Sequence, residues 1–312
     1  MAPSPAVWSG SNGFLCRSRF PRFAFNALIA ALLAALVASC ALEPAHERHF
    51  LWVLNGQHNQ VYLMGSFHLL RPGDYPLAPQ FEAAYQQASA LCMEIDFDDM
   101  DDGALALKTL SLARLPAGKT LADALGAGYP QVRDKAKALG IDLEPLNGFQ
   151  PWFAAITASV TQLMRLGFNP NEGVERHFLA RARADHKPIC GFETAEEQLE
   201  LLAGMSAAEQ AQMLTQSIDE LADVATDMNA MLDAWKHGDE RALRKTAFRQ
   251  MERNPELYRA LMVDRNRRFS RGIERLLGER ENYLVILGAG HLVGRDSVLA
   301  MLRRDGHRAR QL

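Results

Sequence analysis

The sequence predicts an α/β protein with a mixed, mainly parallel sheet flanked by helices. Two short apolar runs near opposite ends of the chain, at 61–69 and 284–292, each end in the pattern G-x-x-H-L. Between residues 60 and 96 the apolar pattern reads strand, helix, strand, which is typical of a βαβ unit. Most of the intervening chain has helical spacing. The sequence therefore indicates one fairly large domain, or one domain with a helical insertion.

The amino-terminal elements follow from short-range signals. Residues 50–54 and 60–64 are strand-like runs separated by Asn55-Gly56, a favoured hairpin turn. A helix is predicted from about Pro79 to Ala88, since proline is favoured in the first turn. Residues 91–96 form the next apolar run, which ends in acidic residues. These elements supply the first parallel strands.

The middle of the chain is predicted to be helical, with one short strand candidate at 187–192. Ser206-Ala207-Ala208-Glu209 is a capping box and marks one helix start. A final strand at 283–287 precedes a helix at about 296–304 and a short terminal strand. The other predicted helices cover 151–166, 171–184 and 264–277. One further helix follows residues 193–198, and the helices that begin at the Ser206 capping box reach about residue 235. Helices restart at about 238 and 254.

The first forty residues have the pattern of an export signal. Arg17, Arg19 and Arg22 form a basic region without an acidic residue, and the apolar stretch 24–37 follows. That stretch is too short for a comfortable transmembrane helix. Val-Ala-Ser before Cys40 resembles a bacterial lipobox, in which the cysteine is lipidated.

Two interpretations of this segment remain open. In the first, residues 1–39 are a lipoprotein signal peptide, and Cys40 begins the mature chain 40–312 as a lipid anchor. Ala41, rather than aspartate, follows the cysteine, which by resemblance to sorting rules favours the outer membrane. The expected location is the bacterial cell envelope, facing the periplasm. In the second, ordinary cleavage occurs nearby and Cys40 is unmodified.

Charge and cysteine content narrow the class of protein. The chain has 34 basic and 37 acidic residues, and removal of the three signal arginines leaves 31 against 37, a net charge near −6. No basic patch favours nucleic acid as a partner. Cys92 and Cys190 remain after the signal; they could pair in an oxidising compartment or stay as buried thiols. No C-x-x-C pattern supports a structural zinc site.

The two G-x-x-H segments predict the candidate site. His68 and His291 each follow a glycine, Gly65 or Gly288, at the end of a buried strand. In open α/β sheets, ligands bind beyond the carboxyl ends of the strands. Glu94 lies at the end of another predicted strand. If these strands are neighbours, both imidazoles and the carboxylate share one pocket. The other histidines are expected at the surface: 46, 49, 58, 177, 186, 237 and 307.

Two chemistries suit these side chains. Two imidazoles and a carboxylate can hold a divalent ion, which lowers the pKa of bound water and polarises a carbonyl. Without a metal, a histidine can act as general base, with Glu94 orienting it. Arg265 could hold a substrate carboxylate or an oxyanion, although the arginines of this segment mostly suggest a solvated helix face.

Several motifs, taken in order, resemble the TraB/GumN family, which includes the Tiki-type metalloproteases. The likeness spans nearly the whole predicted mature chain. Ser66 stands where that family usually has threonine, and Glu175 stands where aspartate is usual. The motifs are Leu51-Trp52-Val53, Tyr62-Leu63-Met64-Gly65-Ser66-Phe67-His68-Leu69, Pro151-Trp152, Gly173-Val174-Glu175, Gly191-Phe192-Glu193-Thr194 with Glu197-Gln198, Asp264-Arg265-Asn266, and Gly288-Ala289-Gly290-His291-Leu292.

The resemblance implies a fold like that of the erythromycin-esterase and ChaN-like proteins, with two related halves and a helical insertion at about 100–280. It implies a peptidase whose metal, manganese or cobalt with zinc as an option, is held by His68, Glu94 and His291. Arg265 would act with them on a peptide or small-molecule substrate. The supporting positions are Gly65, Ser66, Glu175, Glu193, Asn266, Gly288 and Gly290. The alternatives are a non-catalytic lipoprotein that binds a haem-like ligand and a metal-free, esterase-like hydrolase.

Overall fold

The computed structural model describes residues 48–96, 102–249 and 255–312. The predicted signal peptide and Cys40 lie outside these residues. Within them, the strands form one sheet in the order β4-β3-β5-β2-β1-β6. Strands β4, β3, β5 and β2 are parallel, and β1 and β6 are antiparallel, which confirms the predicted mixed, mainly parallel sheet. The strands are β1 (Leu51–Asn55), β2 (Gln60–Ser66), β3 (Ala90–Ile95), β4 (Ile189–Glu193), β5 (Tyr283–Gly288) and β6 (Arg310–Gln311).

Helices cover the sheet and fill the middle of the chain. Among the described residues, none is both long and apolar enough to cross a lipid bilayer. The helix predicted at 79–88 ends one residue earlier. The α-helices are α1 (Pro79–Gln87), α2 (Asp102–Ala113), α3 (Leu121–Leu125), α4 (Tyr129–Ala138), α5 (Pro151–Arg165), α6 (Val174–Ala184), α7 (Ala195–Ala203), α8 (Ala207–Glu220), α9 (Val224–Lys236), α10 (Glu240–Ala247), α11 (Pro255–Tyr258), α12 (Asp264–Leu277) and α13 (Val298–Arg304).

Capping residues fix several helix starts where the sequence predicts them. Ser206 accepts a hydrogen bond from the Glu209 backbone N–H, and the Glu209 carboxylate accepts one from Ser206 N. Asp239 caps α10 in the same way, by accepting hydrogen bonds from Arg241 N and Ala242 N at 3.0 Å. At these two starts, the local capping signal and the observed helix boundary agree.

The register of β2 and β5 brings the two G-x-x-H segments together. Gly65 pairs with Leu287 and Ser66 pairs with Gly288 in the parallel ladder. Strand β3 lies on the other side of β5, where Met93 pairs with Ile286. The chain therefore leaves β2, β5 and β3 at one edge of the sheet, beside one another.

The described residues form two hydrophobic cores. The larger surrounds the sheet, and the fully buried Trp235 ties α9 to it, because its indole Nε1 donates to the Gly65 carbonyl at 2.7 Å. A smaller core joins helices α3, α4, α5 and α8 through Leu121, Val132 and Leu214. Strand β4 lies inside the range of the predicted helical insertion and joins the sheet.

Cys92 and Cys190 form a disulfide. They face each other in the parallel β3–β4 register, with their Cα atoms 4.5 Å apart. The sequence left a bond and two free thiols open, and the structure selects the bond. It crosses between the strands that carry Glu94 and Glu193.

The expectation that His49 lies at the surface is wrong. His49 is buried because the carboxyl-terminal residues cover it. Its backbone N–H donates to the Leu312 carbonyl at 2.7 Å, and the Gln311 amide donates to the His49 carbonyl at 2.9 Å. A polar sequence context did not reveal this long-range pairing.

Candidate functional site

His68 lies in the loop just after β2. Its Nδ1 is 2.7 Å from Glu175 Oε1, and Ser66 donates its hydroxyl proton to the same oxygen. Glu175 lies in the first turn of α6, where a carboxylate is stabilised by the helix dipole. The Glu175 charge raises the pKa of His68 to about 9. The His68 side chain is 65% exposed, so its Nε2 faces the pocket.

Gly173 lets α6 approach this loop closely. A Cβ on Gly173 would overlap the His68 carbonyl oxygen and lie 2.8 Å from the carbonyl carbon. The Val174 N–H also donates to the Phe67 carbonyl at 3.0 Å. The Gly173-Val174-Glu175 motif therefore docks the helix start against the His68 backbone and brings the Glu175 carboxylate to the imidazole.

His291 lies in a short helical turn after β5, and its side chain is only 7% exposed. Asn266 Nδ2 donates to the Asp296 carbonyl at 2.7 Å, so Asn266 Oδ1 faces His291 Nδ1 at 2.6 Å. An amide oxygen only accepts, so Nδ1 carries the proton and Nε2 carries the lone pair. Burial lowers the pKa of His291 to about 4. The ring is therefore neutral at pH 7.

Glu94 lies beside both histidines, at the end of β3. Its Oε1 accepts from the Gly288 N–H at 2.7 Å and lies 3.7 Å from His291 Nε2. Its Oε2 accepts from Arg265 Nη2 at 2.6 Å. Burial opposes ionisation of Glu94, but the nearby histidines and Arg265 outweigh it and lower its pKa to about 2.

Arg265 joins two buried carboxylates. Its Nε donates to Glu193 Oε1 at 2.7 Å, and its Nη1 lies 3.3 Å from His291 Nε2. Glu193 is 1% exposed and also accepts from Arg268 and Gln198, at 2.6 and 3.0 Å. The guanidinium therefore holds Glu94 in place and presents Nη1 beside the lone pair of His291.

Arg268 and Gln198 were not predicted as site residues. Arg268 belongs to the helix face predicted to be solvated, and its side chain is 43% exposed, but its Nη2 also pairs with the buried Glu193. The signal was present in the spacing, since Arg265 and Arg268 are three residues apart on one face of α12. Gln198 lies one helical turn beyond the Thr194 cap of α7, within a motif that supports the family resemblance.

Gly288 marks the point where the predicted residues converge. A Cβ placed on Gly288 would lie 3.2 Å from Glu94 Oε1, 3.6 Å from His291 Cδ2 and 3.6 Å from His68 Nε2. The His68 and His291 atoms are thus at most about 7.2 Å apart, twice 3.6 Å. The two imidazoles and the carboxylate share one pocket.

Gly65 and Gly290 do not line this pocket. A Cβ on Gly65 would lie 2.8 Å from the Phe50 ring, and one on Gly290 would lie 3.5 Å from the Met262 methyl group. Both glycines serve the packing of the loops that carry the histidines. The structure therefore separates them from the polar residues of the candidate site.

The pocket itself has a volume of about 370 Å³. Strand β3 contributes Met93 and Ile95 to its wall, and Pro170 lies opposite in the chain segment before α6. Such a mixture of apolar walls and a few converging polar groups is typical of small-molecule sites. Its polar lining consists of His68, Glu94, Glu175, Arg176, Gln198, Arg265 and His291.

The donor types in the pocket fit a divalent cation. Each imidazole has an oxygen partner at Nδ1, which leaves Nε2 as the ligand atom, as in many metal-bound histidines. The 3.7 Å between His291 Nε2 and Glu94 Oε1 is close to the roughly 3.4 Å that separates two ligands of a tetrahedral zinc ion. Among the described residues, however, no three His, Cys, Asp or Glu side chains are close enough together to hold one ion.

These features define a mixed α/β protein in which two G-x-x-H loops and a buried arginine–carboxylate cluster meet at one edge of the sheet. A sequence profile of the TraB/PrgY/gumN family matches residues 50–311. The chain belongs to this family, which confirms the resemblance described above.

Three curated sequences match the chain over most of their own length. The chain is 24% identical over 261 residues to the uncharacterized protein YbaP of Escherichia coli K12, which covers 82% of this chain and 94% of YbaP. The Shigella flexneri YbaP gives the same values. An uncharacterized protein of Treponema pallidum is 20% identical over 273 residues, covering 83% of this chain and 82% of its own. No solved structure matches.

Proposed function

We propose that this protein is a hydrolase that cleaves a peptide or ester carbonyl in the pocket between His68 and His291. One observation supports this proposal most strongly. The imidazoles of His68 and His291 and the Glu94 carboxylate converge within 3.6 Å of one point above Gly288. Imidazole and carboxylate groups are the side chains that most often move protons or hold metal in hydrolysis.

In the leading form of the proposal the enzyme is a metal-dependent peptidase. His68, Glu94 and His291 would hold the ion, for which manganese, cobalt and zinc are the candidates. When bound, such an ion supplies an activated water and polarises the carbonyl. Glu175 and Asn266 orient the two rings through Nδ1, so that both Nε2 atoms face the pocket.

Arg265 has a defined part in this proposal. Nη1 of Arg265 lies at the pocket, 3.3 Å from His291 Nε2, and can donate to an oxyanion or to a substrate carboxylate. Its Nε and Nη2 are already committed to Glu193 and Glu94. A donor held in place by two buried carboxylates needs little rearrangement during the reaction.

A metal-free hydrolase is the second candidate, because no three ligands lie at ion-holding distance among the described residues. Neutral His291, with its lone pair on Nε2, can accept a proton from water. His68, whose pKa is raised to about 9 by Glu175, can donate a proton to the leaving group. At pH 7 His68 is therefore protonated and His291 is neutral, which are the states that a general acid and a general base require.

The experiment measures metal content and cleavage of model peptides and esters by the wild type, His68→Ala and His291→Ala. We expect each variant to lose at least about 100-fold in kcat/KM, since removal of a general base or metal ligand has this effect. Loss of activity on chelation, restored by manganese, cobalt or zinc, selects the metal-dependent form. Activity that survives chelation selects the metal-free form.

His237→Ala is the matched control, because His237 is exposed and lies outside the pocket. Equal metal content and equal activity in the wild type and both pocket variants would contradict the proposal. Ligand binding without turnover, for example a Soret band on haem titration, would instead favour a binding lipoprotein.

We also propose that the protein is exported and anchored through a lipid on Cys40, at the outer membrane and facing the periplasm. The Cys92–Cys190 disulfide supports export, because such bonds persist mainly in oxidising compartments. Cells fed labelled palmitate should label the wild type and leave Cys40→Ser unlabelled. Equal labelling of both chains would contradict the anchor.

A further inference from the structure

The face of α12 that points away from the candidate site borders a second cavity, with a volume of about 380 Å³. Arg267, Ser270 and Arg271 line it from α12, and Arg304 lines it from the end of α13. The spacing of three and four residues places the first three on one helix face. Three guanidinium groups therefore surround one small cavity.

Within residues 48–96, 102–249 and 255–312, the side chains of two of these arginines lack a protein partner. Arg267 Nη1 donates to Asp264 at 2.7 Å. Across the described residues, neither the Arg271 nor the Arg304 guanidinium has a hydrogen bond or an ion pair. Arg267 and Arg271 are also like charges one helical turn apart, an arrangement that destabilises a helix unless an anion screens it.

Ser270 places a buried hydroxyl on the cavity wall. The residue is only 3% exposed, and its Oγ has no hydrogen-bond partner among the described residues. A buried hydroxyl without a partner is costly, and a helical serine usually bonds to a preceding carbonyl. A hydroxyl that lines a cavity beside guanidinium groups is well placed to donate to a ligand oxygen.

Two carboxylates, those of Asp296 and Asp305, also line the cavity, and Asp296 already accepts hydrogen bonds from other side chains. Asp296 Oδ2 accepts from Arg295 Nε at 3.1 Å and from the Tyr258 hydroxyl at 3.5 Å. Asp305 follows the last residue of α13 and is exposed. Three guanidinium groups therefore face two carboxylates, and the balance of charge at the cavity is positive.

We propose that this cavity binds a phosphate group, with Arg271, Arg304 and the Ser270 hydroxyl as its donors. Planar guanidinium groups match the oxygens of phosphate in geometry and charge. The group can belong to a small phosphorylated molecule or to a lipid headgroup. The cavity also adjoins the candidate site, because Asn266 bonds both the Asp296 carbonyl and His291. The proposal does not depend on hydrolysis.

The test titrates inorganic phosphate into the full chain by calorimetry, with ionic strength held constant by chloride. The wild type should bind one equivalent saturably. Binding should be at least tenfold weaker in Arg271→Gln/Arg304→Gln and weaker in Ser270→Ala. The matched control is Arg275→Gln/Arg303→Gln, which removes the same charge from the same two helices outside the cavity, and it should stay within about twofold of the wild type.

No saturable binding to the wild type, or equal weakening in both double variants, would overturn the proposal. A second arm uses phosphatidylcholine vesicles with and without phosphatidylglycerol. Binding that needs the anionic lipid and is lost in Arg271→Gln/Arg304→Gln identifies a lipid headgroup as the source. Phosphate binding without vesicle binding identifies a soluble phosphorylated ligand.

Discussion

Replacing Arg265 by leucine is expected to lower the free energy of unfolding by about 3–5 kcal/mol. Arg265 is the shared partner of two buried carboxylates, with Nη2 at 2.6 Å from Glu94 and Nε at 2.7 Å from Glu193. Removing one cation leaves both carboxylates with fewer donors in a poorly solvated place. Breaking a buried ion pair is far more costly than losing an exposed one.

The measurement is urea unfolding at pH 7, read from the midpoint at constant m-value. Arg275→Leu, an exposed arginine on the same helix, is the control and should change stability by less than about 0.5 kcal/mol. Adding Glu94→Gln to Arg265→Leu should recover part of the loss, since it removes one uncompensated charge. Equal unfolding energies for Arg265→Leu and Arg275→Leu would contradict the structure of this cluster.

Removal of the Cys92–Cys190 disulfide is expected to lower stability by about 2–4 kcal/mol. The bond closes a loop with a sequence separation of 98, and a loop of this size restricts the unfolded chain strongly. Cys92 is fully buried, so the substitution Cys92→Ala/Cys190→Ala also loses some packing. Both effects act in the same direction.

Urea unfolding of the double variant against the oxidised wild type checks this prediction. A second measurement unfolds and refolds the wild type under a strong reductant, which breaks the disulfide. Its urea midpoint should fall close to that of the double variant. Identical midpoints for the oxidised and reduced wild type would show that the bond contributes nothing to stability.

The sequence predicts the parts of the site that depend on local pattern. Gly65 and Gly288 mark the ends of two buried strands, and parallel strands present their carboxyl ends at the same edge. His68 and His291 could therefore be placed in loops at one edge of the sheet, and the β2–β5 pairing makes those loops adjacent. Glu94 follows from the same reasoning at the end of β3.

The remaining contacts depend on which strands and helix faces become neighbours. The burial of Glu193 under Arg265 and Arg268 arises from the packing of α12 against the end of β4, and an arginine-rich helix face otherwise suggests solvent exposure. The Cys92–Cys190 bond likewise requires the β3–β4 register. His49 is buried by residues more than two hundred and sixty positions later in the chain. None of these partners is close in sequence.

The proposed hydrolase requires that His68 and His291 meet in one pocket. The most direct measurement crosslinks cysteines at these positions, in a chain whose Cys16 and Cys40 are serine, with a short bismaleimide at low protein concentration. The control pair joins position 68 to position 307. His307 lies beside Glu274, near the carboxyl-terminal end of α12. At that end, Asn59, which directly precedes β2, donates to the Leu276 carbonyl. Position 307 therefore lies near the start of β2, whereas His68 follows its end.

Strand β2 has seven residues and spans roughly 23 Å, so the control positions are too far apart for a short linker. The structure predicts that mass spectrometry will find a linked peptide pair containing positions 68 and 291, and none containing 68 and 307. Absence of the 68–291 crosslink, with both thiols shown to be reactive, would contradict the shared pocket on which the proposed hydrolase depends.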